Sequence, residues 1–371
     1  MAWKSRPVAA LVLSLLFGAY LPLALAANPG DQAYPNGRFL LSADQLHALL
    51  GKDGVVVVDV RSDKDFDTRL VPGAVRMPWT LFRQSDPIRN MGGLFSGTVE
   101  ALEILGRHGI SRDDMVVLYD SVTRDGGATA SYVFWVLDLL GHSRMALLDR
   151  GIDGWMDAGF PVAGKPSRLA PKQYTIPSGQ ACLRKLTEER FIMERLGDPY
   201  YQFLDSRSRD EYVGKSLNTA LDGSPLKPGH MPGAFNVDYR LNWTDQKSKA
   251  IKPYAELRQL YSRLDPDKAV ITYCHSGRRS SFSYFVLRLM GFEDVILYDH
   301  SWQEWGKAHM YYPVDTSDSQ QKSKAPSGAI SQGIRIPSKE DKPSCNPLDG
   351  FHTLARGNHF QHFTRIDRRQ S

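Results

Sequence analysis

Residues 270–291 read VITYCHSGRRSSFSYFVLRLMG. Val270 to Tyr273 is a short β-prone run, and such runs bounded by polar loops are strands of a buried sheet. From Ser280 the pattern changes. Phe282, Phe285, Val286, Leu289 and Met290 fall on one helical face, and Gly291 is placed to end that helix. Cys274 therefore stands at the carboxyl end of a strand and faces a helix N-terminus across His275, Ser276, Gly277, Arg278 and Arg279. Unpaired N–H groups and the positive end of the helix dipole favour an anion at that point, and the two arginines push the same way. Thiolate is the nucleophilic form of cysteine, so the pattern points to a reactive thiol in a nest of N–H donors, with Gly277 supplying the backbone freedom. The competing reading is a buried strand-end cysteine beside a solvated basic loop.

The chain repeats this design. VVVVDVR ends at Arg61 and FLDSR ends at Arg207. VPGAV (71–75) and MPGAF (231–235) follow, then VVLYD ending at Asp120 and VITYC ending at Cys274. ALLD (146–149) and VILY (295–298) each precede a tryptophan-bearing segment, with Trp155 in the first and Trp302 and Trp305 in the second. Four matches in the same order, about 150 residues apart, indicate two copies of one α/β domain. Each copy is expected to be a mainly parallel sheet flanked by helices, with its crevice at the strands' carboxyl ends. Asp120 takes the place of Cys274 in the first copy, so the fold itself does not require a small thiol there. The tryptophans read as packing beneath the active loop.

The expected organisation is a first domain over residues 36–163, a Pro/Gly/Ser-rich linker over 164–182, a second domain over 183–315 and a polar, disordered tail over 316–371. Lys4 and Arg6, a long apolar run and Ala24-Leu25-Ala26 have the order of a signal peptide covering 1–26, with export to a bacterial periplasm as the expected destination. A net charge of +5, spread along 371 residues, argues against a nucleic-acid partner, and no membrane partner is expected once the leader is removed. Three cysteines in an oxidising compartment suggest one thiol kept for chemistry. Cys182 and Cys345 are then left free to pair.

Taken together, the DSR segment, GHMPGAFNV, the strand-Cys-loop-helix unit and YDHSWQEWG resemble the tandem-domain rhodaneses, the thiosulfate and 3-mercaptopyruvate sulfurtransferases. The resemblance covers about residues 39–314. It implies that the second domain is the active one, that Cys274 carries a persulfide and that Asp120 marks a degenerate site in the first domain. It also implies a small anionic sulfur donor and a thiophilic acceptor as partners; no cofactor, no metal and a monomer are expected. Arg207 matches the family's anion-binding arginine. Arg278 or Arg279 is a second candidate cation, Arg279 being equally well read as a structural ion pair. His275, Ser276 and Gly277 belong to the substrate-binding loop, with His275 as a donor rather than a general base. CHSGRR matches neither the CRKGVT loop of the thiosulfate enzymes nor the CGSGVT loop of the mercaptopyruvate enzymes, and His300 stands where DGSW is usual. The cationic loop favours an inorganic dianion.

Three other readings compete with this one. A phosphatase loop of Cys-x5-Arg spacing needs arginine at Ser280. A persulfide carrier without turnover fits an inert first copy. A metal site from Cys345, His352, His359 and His362 lacks the ligand spacing of structural zinc sites.

Overall fold

The computed structural model describes residues 33–176 and 181–318. The expected leader and most of the expected tail, including Cys345, lie outside the described residues.

The first half runs β1 (Leu40–Leu41), α1 (Ala43–His47), β2 (Val55–Asp59), β3 (Val75–Arg76), a hairpin of β4 (Arg83–Asp86) and β5 (Met91–Phe95), α2 (Thr98–Arg107), β6 (Met115–Tyr119), α3 (Ala128–Leu139), β7 (Met145–Leu148) and α4 (Gly151–Asp157). The second half runs α5 (Glu189–Met193), β8 (Tyr201–Asp205), α6 (Arg209–Tyr212), β9 (Phe235–Asn236), α7 (Tyr254–Leu260), β10 (Ala269–Tyr273), α8 (Arg278–Leu289), β11 (Val295–Leu297) and α9 (Ser301–Trp305).

The repeat is a repeat of structure. One sheet has the order β1-β7-β6-β2-β3 and the other β11-β10-β8-β9. All neighbours in both sheets are parallel, and the register repeats: Asp59 lies opposite Arg76, and Asp205 opposite Asn236. Leu186 bridges to Leu297 where β1 pairs with β7 in the first half. Parallel strands covered on both faces need continuous apolar runs, and every residue of Ala269–Tyr273 is buried.

Helix α8 departs from the amphipathic expectation. Ser280, Ser281 and Ser283 are as buried as Phe282 and Phe285, because α8 is sandwiched between its own sheet and α3 of the first domain. The serines satisfy their hydroxyls locally: Ser280 donates to the Gly277 carbonyl, Ser281 to that of Arg278, and Ser283 bonds Ser206 at 2.8 Å. Across the α3–α8 seam Phe134 meets Phe285 edge-on at 5.0 Å. There the buried Asp138 carboxylate accepts from Tyr284 and Arg288 and pairs with Lys185, which compensates its desolvation. The helix ends at a left-handed glycine, Gly291, as its sequence indicates.

The linker is not a free spacer where it is described. Ser167 N–H donates to Ala74, Lys172 N–H donates to Gly106, and the Lys172 ammonium pairs with Asp114 at 2.9 Å. It is strapped along the first domain. The two halves thus make an extensive shared face, and the carboxyl end of β10 opens onto that face.

Candidate active site

Cys274 follows β10, and Gly277 caps α8, so the loop between them is short. Gly277 has φ of +82°, and a Cβ there would collide with the Asp299 carboxylate. Glycine is therefore required on both conformational and steric grounds. Cys274 is a free thiol, 1% exposed. Cys182 is disulfide-bonded, and Cys345 lies outside the described residues.

The loop's carbonyls are all turned away to donors outside it. Cys274 O accepts from Trp302 N–H (3.1 Å), His275 O from Gln303 N–H (3.1 Å), Ser276 O from the Arg83 guanidinium (2.6 Å) and Gly277 O from Ser281 N–H (2.9 Å). Two loop N–H groups, those of Cys274 and Gly277, converge on Ser301 Oγ at 3.1 and 3.2 Å, and that hydroxyl donates onward to Tyr298 O. The N–H groups of His275, Ser276, Arg278 and Arg279 find no acceptor among the described residues. A loop with its carbonyls tied outward and four N–H groups unclaimed among the described residues has the form of an anion cradle.

The first domain shows that cradle filled. Asp120 stands at the end of β6 and its carboxylate accepts from the N–H groups of Gly127, Thr129 and Ala130 and from the Thr129 hydroxyl. Gly127 caps α3 with positive φ as Gly277 caps α8, and Ile152 N–H reaches Asp120 O as Trp302 N–H reaches Cys274 O. Burial raises the Asp120 pKa even against these hydrogen bonds. A fixed carboxylate thus occupies the space where the second domain has a thiol.

The expected site residues divide into two groups. Arg279 reaches Glu211 with two 2.8 Å hydrogen bonds. Burial opposes its charge, but the Glu211 bonds and then the nearby Cys274 charge hold its pKa raised. It is therefore an ion pair that pins the loop and also faces the sulfur. Arg278 is partly exposed and contacts Asp125 of the first domain. Burial, then repulsion from Arg124, Arg83 and Arg279, pushes its pKa down to about 10. His275 is pushed down to about 4 by burial and then by Arg279, so it is neutral at pH 7 and brings no charge.

Arg207 is tied into the scaffold of its own domain. It is 1% exposed, pairs with Asp205, donates to Gly229 O at 2.6 Å and lies 4.1 Å over the Trp302 ring. Arg61 makes the same pair with Asp59 in the first domain, where no thiol exists. An interaction present in both copies serves the fold they share. Trp155, Trp302 and Trp305 are fully buried, as their sequence context indicates.

Sequence reasoning missed Ser301, Glu211 and Arg83. Glu211 had a signal: Ser208-Arg-Asp-Glu211 is a capping box, and both reciprocal bonds form. Ser301 adopts φ of +54°, which no local pattern announces. Arg83 comes from the other domain.

A sequence profile described as the rhodanese-like domain matches residues 42–158 and again 191–308. The thiosulfate sulfurtransferase of Corynebacterium glutamicum is 32% identical over 304 residues, spanning 78% of this chain and 94% of that protein. Among solved structures, the anaerobic ergothioneine biosynthesis enzyme from Chlorobium limicola in complex with trimethyl histidine superposes with a TM-score of 0.63 at 22% identity, covering 76% of this chain and 71% of that one. YnjE superposes with a TM-score of 0.65 at 21% identity, covering 77% and 70%. These two likenesses are of fold.

Proposed function

Since this chain belongs to the rhodanese family and is a rhodanese-type sulfurtransferase, we propose that it takes a sulfane sulfur from thiosulfate onto Cys274 and passes it to a thiophilic acceptor. The observation that carries this reading is the contrast between the two loops. One is filled by the Asp120 carboxylate, while the other holds a free thiol among unclaimed N–H groups.

The chemistry then follows without a proton transfer. The Cys274 thiolate attacks the outer sulfur of thiosulfate, the donor's S–S bond breaks, and sulfite leaves with that bond's electron pair. The persulfide's terminal sulfur is attacked by cyanide, thiocyanate departs, and the thiolate is regenerated. This is nucleophilic catalysis in two half-reactions. N–H groups fixed before the reaction stabilise negative charge on the outer sulfur at little reorganisation cost. Arg278 supports the choice of a dianion. It is crowded by Arg124, Arg83 and Arg279, and a donor bearing two negative charges relieves that repulsion.

The test is mass analysis of protein treated with thiosulfate, alongside turnover with thiosulfate and with 3-mercaptopyruvate. The expected result is one added sulfur atom on Cys274, removed by cyanide and absent in Cys274→Ser, with turnover on thiosulfate. Full turnover in Cys274→Ser would overturn the reading. Loading without turnover on any acceptor would recast the protein as a carrier, and preference for 3-mercaptopyruvate would replace the donor.

A further inference from the structure

We propose that Arg83, carried by the catalytically silent first domain, is a positioning residue for the sulfur-binding loop of the second. The inference rests on the sulfurtransferase reading above and concerns what keeps the cradle in its anion-accepting form.

Four carbonyls belong to the loop segment Cys274–Gly277, and each must face away from the sulfur for the N–H groups to face it. Three are held by backbone N–H groups of the second domain itself: Trp302, Gln303 and Ser281. The fourth, Ser276 O, is held by a side chain 193 residues away in sequence, the Arg83 guanidinium, at 2.6 Å. The Ser276–Gly277 peptide is thus clamped at both ends, with its oxygen on Arg83 and its N–H on Ser301 Oγ. A hydrogen bond from a charged donor to a carbonyl is among the stronger protein hydrogen bonds.

Arg83 is built to stay in place. Its Nε donates to Gly93 O across the β4–β5 hairpin, and its guanidinium lies 4.7 Å from the Trp79 ring and 5.0 Å from the Tyr132 ring. Gly93 has positive φ, and a Cβ there would strike that guanidinium. The hairpin is in turn stapled to the catalytic half. Gly92 and Gln303 exchange two hydrogen bonds, at 2.8 and 2.9 Å, and Phe95 N–H donates to Asp299 at 2.7 Å. Without Arg83, Ser276 O has no donor among the described residues, and the peptide, held only through the Gly277 N–H on Ser301, can turn its negative end towards the sulfur. A thiolate or persulfide is disfavoured by that orientation. The first domain, silent in chemistry, thereby sets the electrostatics of the second domain's sulfur.

The experiment compares wild type, Arg83→Ala and Arg83→Lys as full chains, after circular dichroism and thermal melting confirm folding. Two rates are read: alkylation of Cys274 by neutral iodoacetamide at pH 7, and single-turnover sulfur loading at saturating thiosulfate. Arg83→Ala is expected to slow both by about tenfold or more, about 1.4 kcal/mol in barrier. Lysine, which keeps the charge and one donor, is expected to restore part of each. Unchanged or faster alkylation in folded Arg83→Ala overturns the proposal, as does a loss confined to the thiosulfate concentration needed for half-saturation. Alkylation needs no sulfur donor, so this arm still decides the matter if thiosulfate proves not to be the substrate. If Arg83→Ala does not fold, Arg83→Lys alone decides: wild-type rates in both assays overturn the proposal, and slowing in both supports it.

Discussion

The Arg279 guanidinium meets the Glu211 carboxylate fork to fork, with two hydrogen bonds of 2.8 Å each. The pair joins the first turn of α8 to α6. It also sits within the field of Cys274, whose charge contributes to the raised Arg279 pKa. Glu211 is further held by the Ser208 N–H and hydroxyl. One cation therefore fixes the helix that caps the cradle and lends its charge to the cradle.

This pair gives the protein a defined acid sensitivity. Burial opposes the Glu211 charge, but Arg279 and Ser208 hold its native pKa well below the ordinary carboxylate value of about 4.3. A depressed native pKa means the unfolded chain takes up the proton first. The stability it confers is present in full above the ordinary range, and it is lost as pH falls through that range towards the lower native value. Glu211→Gln is expected to be about 3 kcal/mol less stable than wild type near pH 7, because the buried guanidinium loses its countercharge. Urea unfolding at pH 7 and pH 3 checks this: the gap between the two proteins narrows at pH 3. A gap that is constant with pH excludes the linkage.

Asp120→Ala is expected to leave turnover within about tenfold of wild type, under about 1.4 kcal/mol in barrier. A carboxylate held by three N–H groups and a hydroxyl fills the first cradle, and it is not expected to take part in sulfur chemistry. The substitution leaves those donors without their acceptor, and about 1–3 kcal/mol of stability goes with them. Thermal melting and steady-state rates on the same preparation separate the two effects. A loss of several orders of magnitude in folded protein would give the first domain a chemical role.

The site's design was legible in places where local rules and the repeat act together. A strand run, a cysteine, a glycine and a helix pattern placed Cys274 at a helix N-terminus, and the other copy of that pattern placed Asp120 at the corresponding point. Contacts between distant segments were not legible. Arg83 touches Ser276 because the hairpin folds across the domain seam, and no spacing records that. Arg207 shows the same gap. Its sequence context advertises an arginine at a strand end, yet the fold buries it against Asp205 and Trp302. The apolar face read from Phe282, Phe285, Val286 and Leu289 gives no sign that α3 also covers the serines between them.

Arg207 gives a sharp comparison between the two halves. Arg207→Ala strands the buried Asp205 carboxylate, which is expected to cost about 3–5 kcal/mol in stability. Arg61→Ala does the same to Asp59 in the first domain and is expected to cost a similar amount. Lysine rescues neither, since it cannot reproduce the fork. Chemical denaturation of both variants measures this. A folded Arg207→Ala protein of wild-type stability, with only its thiosulfate Michaelis constant raised, would return Arg207 to the donor site.

Ser301 carries the last prediction. Its hydroxyl accepts from Cys274 and Gly277 N–H and donates to Tyr298 O, so it ties the two ends of the loop together. The residue holds φ of +54° to do so, and the matching position in the first domain is Gly151 with φ of +55°. Where no thiol has to be served, the position is filled by the residue that adopts this conformation freely. The serine is therefore kept for its hydroxyl, against a conformational cost. Ser301→Ala loses the hydroxyl and keeps the strained backbone, while Ser301→Gly loses the hydroxyl and relieves it. Both are expected to slow sulfur transfer by about ten- to a hundredfold, about 1.4–3 kcal/mol, for want of the same anchor. Glycine is expected to melt at the higher temperature of the two. Wild-type turnover in Ser301→Gly would show that the backbone conformation, and not the hydroxyl, is what the loop requires.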